Sequence, residues 1–248
     1  MKINNLPEKT FKEHVADLRK FVIISVVSYF AIFGLCFYFA SNLYQFLAKS
    51  LQSTLTKYSL SNEFIVTSVT EVFSTYLGLA FYVSLIFFFP IFLIFIYVYL
   101  LPVFSKKEKK VSMFLLFLTP ALFFLGAGFT YFVAFGVVWD FFIKISMSSN
   151  ILLLPKVSEY ISLSLSMMFA FGLAFELPVL LIILSLFNLI DESSILKFGK
   201  YAIVLSFILG AILTPPDPLS QIIVATILII LYYLSYFIVK IISNLDEE

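Results

Sequence analysis

At 248 residues, with 62% hydrophobic and only 12% charged side chains, the chain has too little polar surface to coat a soluble globule of its size. Its net charge of +1 generates no field that would gather nucleic acid or an acidic partner. One cysteine (Cys36) and one histidine (His14) exclude a disulfide framework and a multi-ligand His/Cys metal site, and nothing in the composition calls for a cofactor.

Lipid is then the solvent, and backbone polar groups in hydrocarbon are satisfied only inside helices or closed barrels. The apolar runs lack the period-two alternation of barrel strands, so the fold class is an all-α membrane protein, one transmembrane unit over 1–248. In chain order the runs cover 21–40, 72–101, 113–138, 161–189, 196–213 and 219–239, each near the ~20 residues that span a bilayer core. The first follows a polar segment and lacks a small-residue cleavage site, which reads as a retained helix and not a signal peptide.

Between the first two runs, Leu43, Phe46, Leu47, Leu51, Leu55 and Tyr58 recur at helical spacing, which predicts an amphipathic helix across the outer face of the bundle or in the interface. Residues 140–160 read as a second sizeable outer connection. The fifth run is the shortest; to span, it must recruit 196–200 with Lys197 and Lys200 snorkelling, or thin the bilayer. Thr214–Pro218 (TPPDP) holds three prolines in five residues and predicts a stiff hairpin tip between the last two helices. No internal repeat relates the two halves. Alternate hydrophilic segments carry twelve Lys and Arg against four, which places both termini in the cytoplasm.

Glu176 is the one ionisable residue in the middle of a span. A central carboxylate costs at least about 2.5 kcal/mol on insertion scales, so its default reading is functional; the alternative is a neutral carboxyl satisfied by a neighbouring helix. Pro178 lacks an N–H, frees the Ala174 carbonyl and bends the helix at that depth. Asp17 and Glu108 sit among cations at cytoplasmic helix ends. Taken alone, they are juxtamembrane charges that anchor helices and set topology. Asp217 and Gln221 flank the hairpin tip, where Asp217 is placed to cap the sixth helix.

Four stretches together resemble one family, TatC, the multi-spanning receptor component of the twin-arginine protein translocase. His14–Val15–Ala16–Asp17–Leu18–Arg19 is similar to its H-L-x-E-L-R signature. The run from Pro102 through Lys106–Lys107–Glu108–Lys109–Lys110 resembles its first cytoplasmic loop. Phe169–Ala170–Phe171–Gly172–Leu173–Ala174–Phe175–Glu176–Leu177–Pro178 is similar to its F-x-F-G-x-x-F-E-x-P segment, and Leu213–Thr214–Pro215–Pro216–Asp217–Pro218–Leu219–Ser220–Gln221 to its L-T-P-P-D-x-x-S-Q hairpin.

The resemblance implies a curved, glove-like bundle with the fourth-helix glutamate on its concave side. It implies that Asp17 and Glu108, with Arg19 and the aromatic Tyr99, bind the paired arginines of signal peptides on folded cargo. It further implies that Glu176, Pro178, Asp217 and Gln221 serve assembly with small single-span TatA- and TatB-type subunits, in a complex holding several copies of the chain in a bacterial inner membrane. No ATP-binding loop is present, so the drive is expected from an ion gradient. The chain departs from the family at Asp17, which replaces a glutamate and reaches about 1.5 Å less. It departs again at Ala48–Lys49–Ser50–Leu51, where the family carries a proline. The rival reading is a proton- or cation-coupled transporter with its site at Glu176 and its hinge at Pro178. An intramembrane hydrolase is excluded for want of a nucleophile–base pair or a second intramembrane acid.

Overall fold

The structure, a computed structural model, describes residues 11–100, 106–149, 153–187, 189–213 and 218–247. Among them nine α-helices follow in order: α1 (Phe11–Tyr38), α2 (Ala40–Lys57), α3 (Glu71–Leu100), α4 (Lys106–Phe129), α5 (Phe135–Ser148), α6 (Val157–Phe175), α7 (Leu177–Leu186), α8 (Glu192–Leu213) and α9 (Pro218–Glu247). A π-helical turn, Thr130–Ala134, joins α4 to α5 without a break. Six helical stretches are long and apolar enough to cross a membrane: Arg19–Tyr38, Glu71–Tyr99, Met113–Ser148, Val157–Leu186, Glu192–Ile212 and Gln221–Ile241.

The third stretch differs from the expected one. It does not end near 138 but continues to Ser148, straight through Asp140 and Lys144. Those charges do not stop the helix because they satisfy each other one turn apart (Lys144 Nζ to Asp140 Oδ2, 2.6 Å). Asp140 also accepts from Lys57 Nζ at 3.1 Å and from the Tyr58 hydroxyl at 2.5 Å, which ties the end of α2 to α5. The expected long connection over 140–160 is correspondingly short.

The amphipathic α2 rests on the bundle, with Leu47, Leu51 and Leu55 buried. The hydroxyls of Tyr131 and Tyr160 donate to the carbonyls of Phe46 and Leu47 (2.8 and 2.6 Å), and the Phe46 ring stacks on Tyr131 at 4.3 Å. Beyond α2, the connection to α3 is latched by Glu71. Its carboxylate accepts from the Thr67 backbone N–H (2.7 Å), the Thr67 hydroxyl (2.8 Å) and the Ser158 hydroxyl of α6 (2.7 Å).

α6 is the central element. Of its most apolar stretch 56% is buried, against 11% for the peripheral α1, which leans on α3 through Tyr29–Phe81 and Phe21–Phe92 ring contacts. α4 approaches α6 at two glycines: a Cβ on Gly126 would lie 2.5 Å from the Phe171 carbonyl oxygen, and one on Gly172 would lie 2.8 Å from the Phe123 ring. α8 packs chiefly on α9, through the Tyr232 hydroxyl to the Ile195 carbonyl (2.7 Å), and turns a face with Phe198, Tyr201, Val204, Leu205 and Ile208 outward.

The short fifth run is lengthened at its start. α8 begins at Glu192, so that about 33 Å of helix is available and Lys197 and Lys200 stand exposed. Asp191 fixes that start, accepting from the Ser194 backbone N–H at 2.8 Å and the Ser193 hydroxyl at 3.0 Å. Donation from Ser194, and then from Ser193, holds this carboxyl down at about 2. A depressed carboxyl stabilises the fold above its unfolded value of about 4 and loses that contribution as pH falls toward the folded value. Asp191→Ala is therefore expected to lower the Tm in detergent at neutral pH, with the gap to the parent chain closing through that acid window. A gap independent of pH would show that the carboxylate is not what caps α8.

Candidate functional site

Two sets of positions emerge. The first lies where α1 begins its apolar stretch, α3 ends and α4 starts. α1 runs antiparallel to α3, since Phe21 meets Phe92 and Phe95 while Tyr29 meets Phe81 and Phe88. Arg19 and Tyr99 thus reach the same end of the bundle, both exposed. Asp17 belongs to α1 and Glu108 to the first turn of α4, but the side chains of both lie outside the described residues.

The second set surrounds Glu176, whose residue interrupts the fourth span between α6 and α7 with φ −77° and ψ −8°. Its N–H donates to the Leu173 carbonyl at 3.1 Å and its own carbonyl accepts from Leu180 at 3.0 Å, so the chain passes the break with its backbone paired. Pro178, at the start of α7, supplies the fixed φ that a first helical turn accepts and is itself buried. Glu176 is 9% exposed, and among the described residues neither carboxyl oxygen has a hydrogen-bond partner.

Gln221 does not join either set. Its Nε2 donates to the Phe207 carbonyl at 3.0 Å, and its backbone comes within 3.0 Å of where a Cβ on Gly210 would lie, so it staples the α8–α9 hairpin. Asp217 lies outside the described residues. No group of three or more His, Cys, Asp or Glu suited to a metal occurs among the described residues. Tyr97 of α3 and Thr119 of α4 were not singled out from sequence; both are buried, Tyr97 next to Thr119 and within electrostatic reach of Glu176, and hydroxyls inside apolar runs were the only signal available.

A sequence profile of the family described as "Sec-independent protein translocase protein (TatC)" matches residues 13–226. The chain belongs to the TatC family. It is 33% identical over 238 residues to the TatC of Rickettsia prowazekii (strain Madrid E), covering 95% of this chain and 94% of that one. It is 34% identical over 240 residues to the TatC of Helicobacter pylori (strain J99), covering 96% and 91%. Two crystal structures titled as the twin-arginine translocase receptor TatC superpose with TM-scores of 0.79 and 0.78, each at 31% identity and covering 92% and 93% of this chain.

TatC membership makes the chain a subunit of the Sec-independent, twin-arginine translocase and not an enzyme. The all-helical, six-span architecture agrees with that of the TatC crystal structures, whose curved, glove-like form is the one anticipated. A place within a Tat complex follows from the same membership, as does a multi-pass membrane location, while the solute-transporter reading of Glu176 finds no support.

Proposed function

We propose that this chain is the subunit that captures twin-arginine signal peptides, with Asp17 and Glu108 accepting the two guanidinium groups and Arg19 and Tyr99 bordering the same site. The observation that carries this reading is the convergence of the ends of α1, α3 and α4, with Arg19 and Tyr99 exposed there. A guanidinium is a planar donor fork that a carboxylate accepts bidentately and that never sheds its charge, so lysine is a poor substitute. The surplus of Lys and Arg on alternate segments supports an orientation with both termini in the cytoplasm, in a bacterial inner membrane. The two crystallised relatives are titled receptors, which supports the assignment.

In the same reading, single-span TatA- and TatB-type subunits dock their own polar residue at Glu176, beside the Pro178 bend, in an assembly holding several copies of the chain and driven by an ion gradient. Photocrosslinkers at positions 17 and 108 should label a twin-arginine peptide and not a twin-lysine control; equal labelling of both would remove the guanidinium basis. Crosslinkers placed along 167–180 should label the single-span subunits, and that labelling should fall in Glu176→Ala. Unchanged labelling would remove the docking role.

A further inference from the structure

Four buried polar side-chain atoms near one depth of the membrane have no hydrogen-bond partner among the described residues: the Tyr97 hydroxyl, the Thr119 hydroxyl and both oxygens of Glu176. Tyr97 is 4% exposed, Thr119 0% and Glu176 9%. They come from three helices that meet. α3 and α6 run in the same direction, joined near their starts by Glu71 and Ser158 and further along by Phe89 edge-on to Phe169 at 5.5 Å. The Phe123 ring of α4 meets Gly172 of the antiparallel α6, and Thr119 and Glu176 each lie about one turn further toward the same end. Leu115, one turn before Thr119, packs in one cluster with Tyr97, Val179 and Ile182. The Tyr97 hydroxyl lies next to that of Thr119 and within electrostatic reach of the Glu176 carboxyl.

Thr119, like Ser25 and Thr75 elsewhere in the bundle, is a buried hydroxyl without a hydrogen-bond partner among the described residues. Thr130, Ser164 and Ser235 each donate to the carbonyl four residues back, whereas Thr119 does not. Its hydroxyl, like that of Tyr97, is left free for a partner that is not its own helix. A phenol, an alcohol and a carboxyl together offer more donors and acceptors than contacts among themselves can use. Orphaned groups of this kind are ordinarily bridged by an internal water, which needs two to four polar partners.

We infer that Tyr97, Thr119 and Glu176 enclose a water-binding site inside the membrane, in which Tyr97 and Thr119 are positioning residues that hold the Glu176 carboxyl through the bound water. The inference goes beyond the docking role proposed for Glu176 and stands whether or not a partner docks there, because every group it uses belongs to this chain. It assigns to two hydroxyls on α3 and α4 the task of fixing the side chain at the α6–α7 break.

The test is water-edited solid-state NMR on the full chain in bilayers, with 13C-labelled glutamate and the Glu176 carboxyl resonance assigned by its absence in Glu176→Gln. Polarisation is expected to pass from water to this carboxyl carbon although it is buried. Tyr97→Phe and Thr119→Val, which keep side-chain volume, should each weaken the transfer and together abolish it. Transfer to the exposed Glu63 should stay as it is. Should the double variant fail to fold, the two single variants carry the test. No transfer in the parent chain, or transfer that survives loss of both hydroxyls, would overturn the proposal.

Discussion

Export of twin-arginine cargo is expected to cease in cells whose chain carries Asp17→Ala together with Glu108→Ala, while the protein itself still accumulates in the membrane. A hydrogen bond to a charged group contributes about 1.5–3 kcal/mol, so losing two such acceptors removes about 3–6 kcal/mol of peptide binding. That corresponds to a fall of about 10²–10⁴ in affinity, at about 1.4 kcal/mol per factor of ten. Both positions fall outside the apolar runs of the sequence, so the stability of the bundle should hold. Each single variant should retain partial export. Asp17→Glu, which restores the methylene missing relative to the family signature, should export at least as well as the parent. The decisive comparison is cargo export against chain abundance in the membrane fraction; normal export by the double variant would leave the receptor reading without its chemistry.

Much of this architecture was legible because lipid imposes a coarse rule, about twenty apolar residues per crossing. Six runs therefore gave six spans. The break at Glu176 was legible too, since Pro178 cannot donate and frees a carbonyl one turn earlier. Rotation about each helix axis was not legible. In a run such as that of α3, apolar on every side, no stripe marks the face that meets other helices, so Tyr97 was indistinguishable in sequence from the exposed Tyr99. Asp140 and Lys144 misled for the opposite reason. They look like loop charges, but they pair with each other along the helix, and Asp140 is held further by Lys57 and Tyr58, more than eighty residues earlier. The two glycines at the α4–α6 crossing were likewise silent, because only a second helix makes a glycine necessary.

Those glycines give a prediction whose sign reverses within two residues. Gly126 and Gly128 both lie in α4, and alanine at either removes the conformational cost of glycine in a helix, worth about 0.5–1 kcal/mol. At Gly128 a Cβ meets nothing within 4 Å, so Gly128→Ala should stabilise the chain by about that amount. At Gly126 a Cβ would lie 2.5 Å from the Phe171 carbonyl oxygen and 2.9 Å from the Phe175 ring. The carbonyl belongs to the backbone of α6 and cannot swing aside. Phe123, one turn earlier on α4, is fully buried against Phe89 and Phe169, so the crossing has no slack. Overpacking of this kind costs about 1–3 kcal/mol, which exceeds the propensity gain, so Gly126→Ala should be destabilising and Gly126→Val more so. Thermal unfolding of the purified variants in detergent separates the two signs; stabilisation by Gly126→Ala would mean that α4 and α6 do not touch there. Because the displaced α6 carries Glu176 five residues beyond Phe171, the same substitution should also weaken any docking at that carboxyl, and Gly128→Ala should leave it intact.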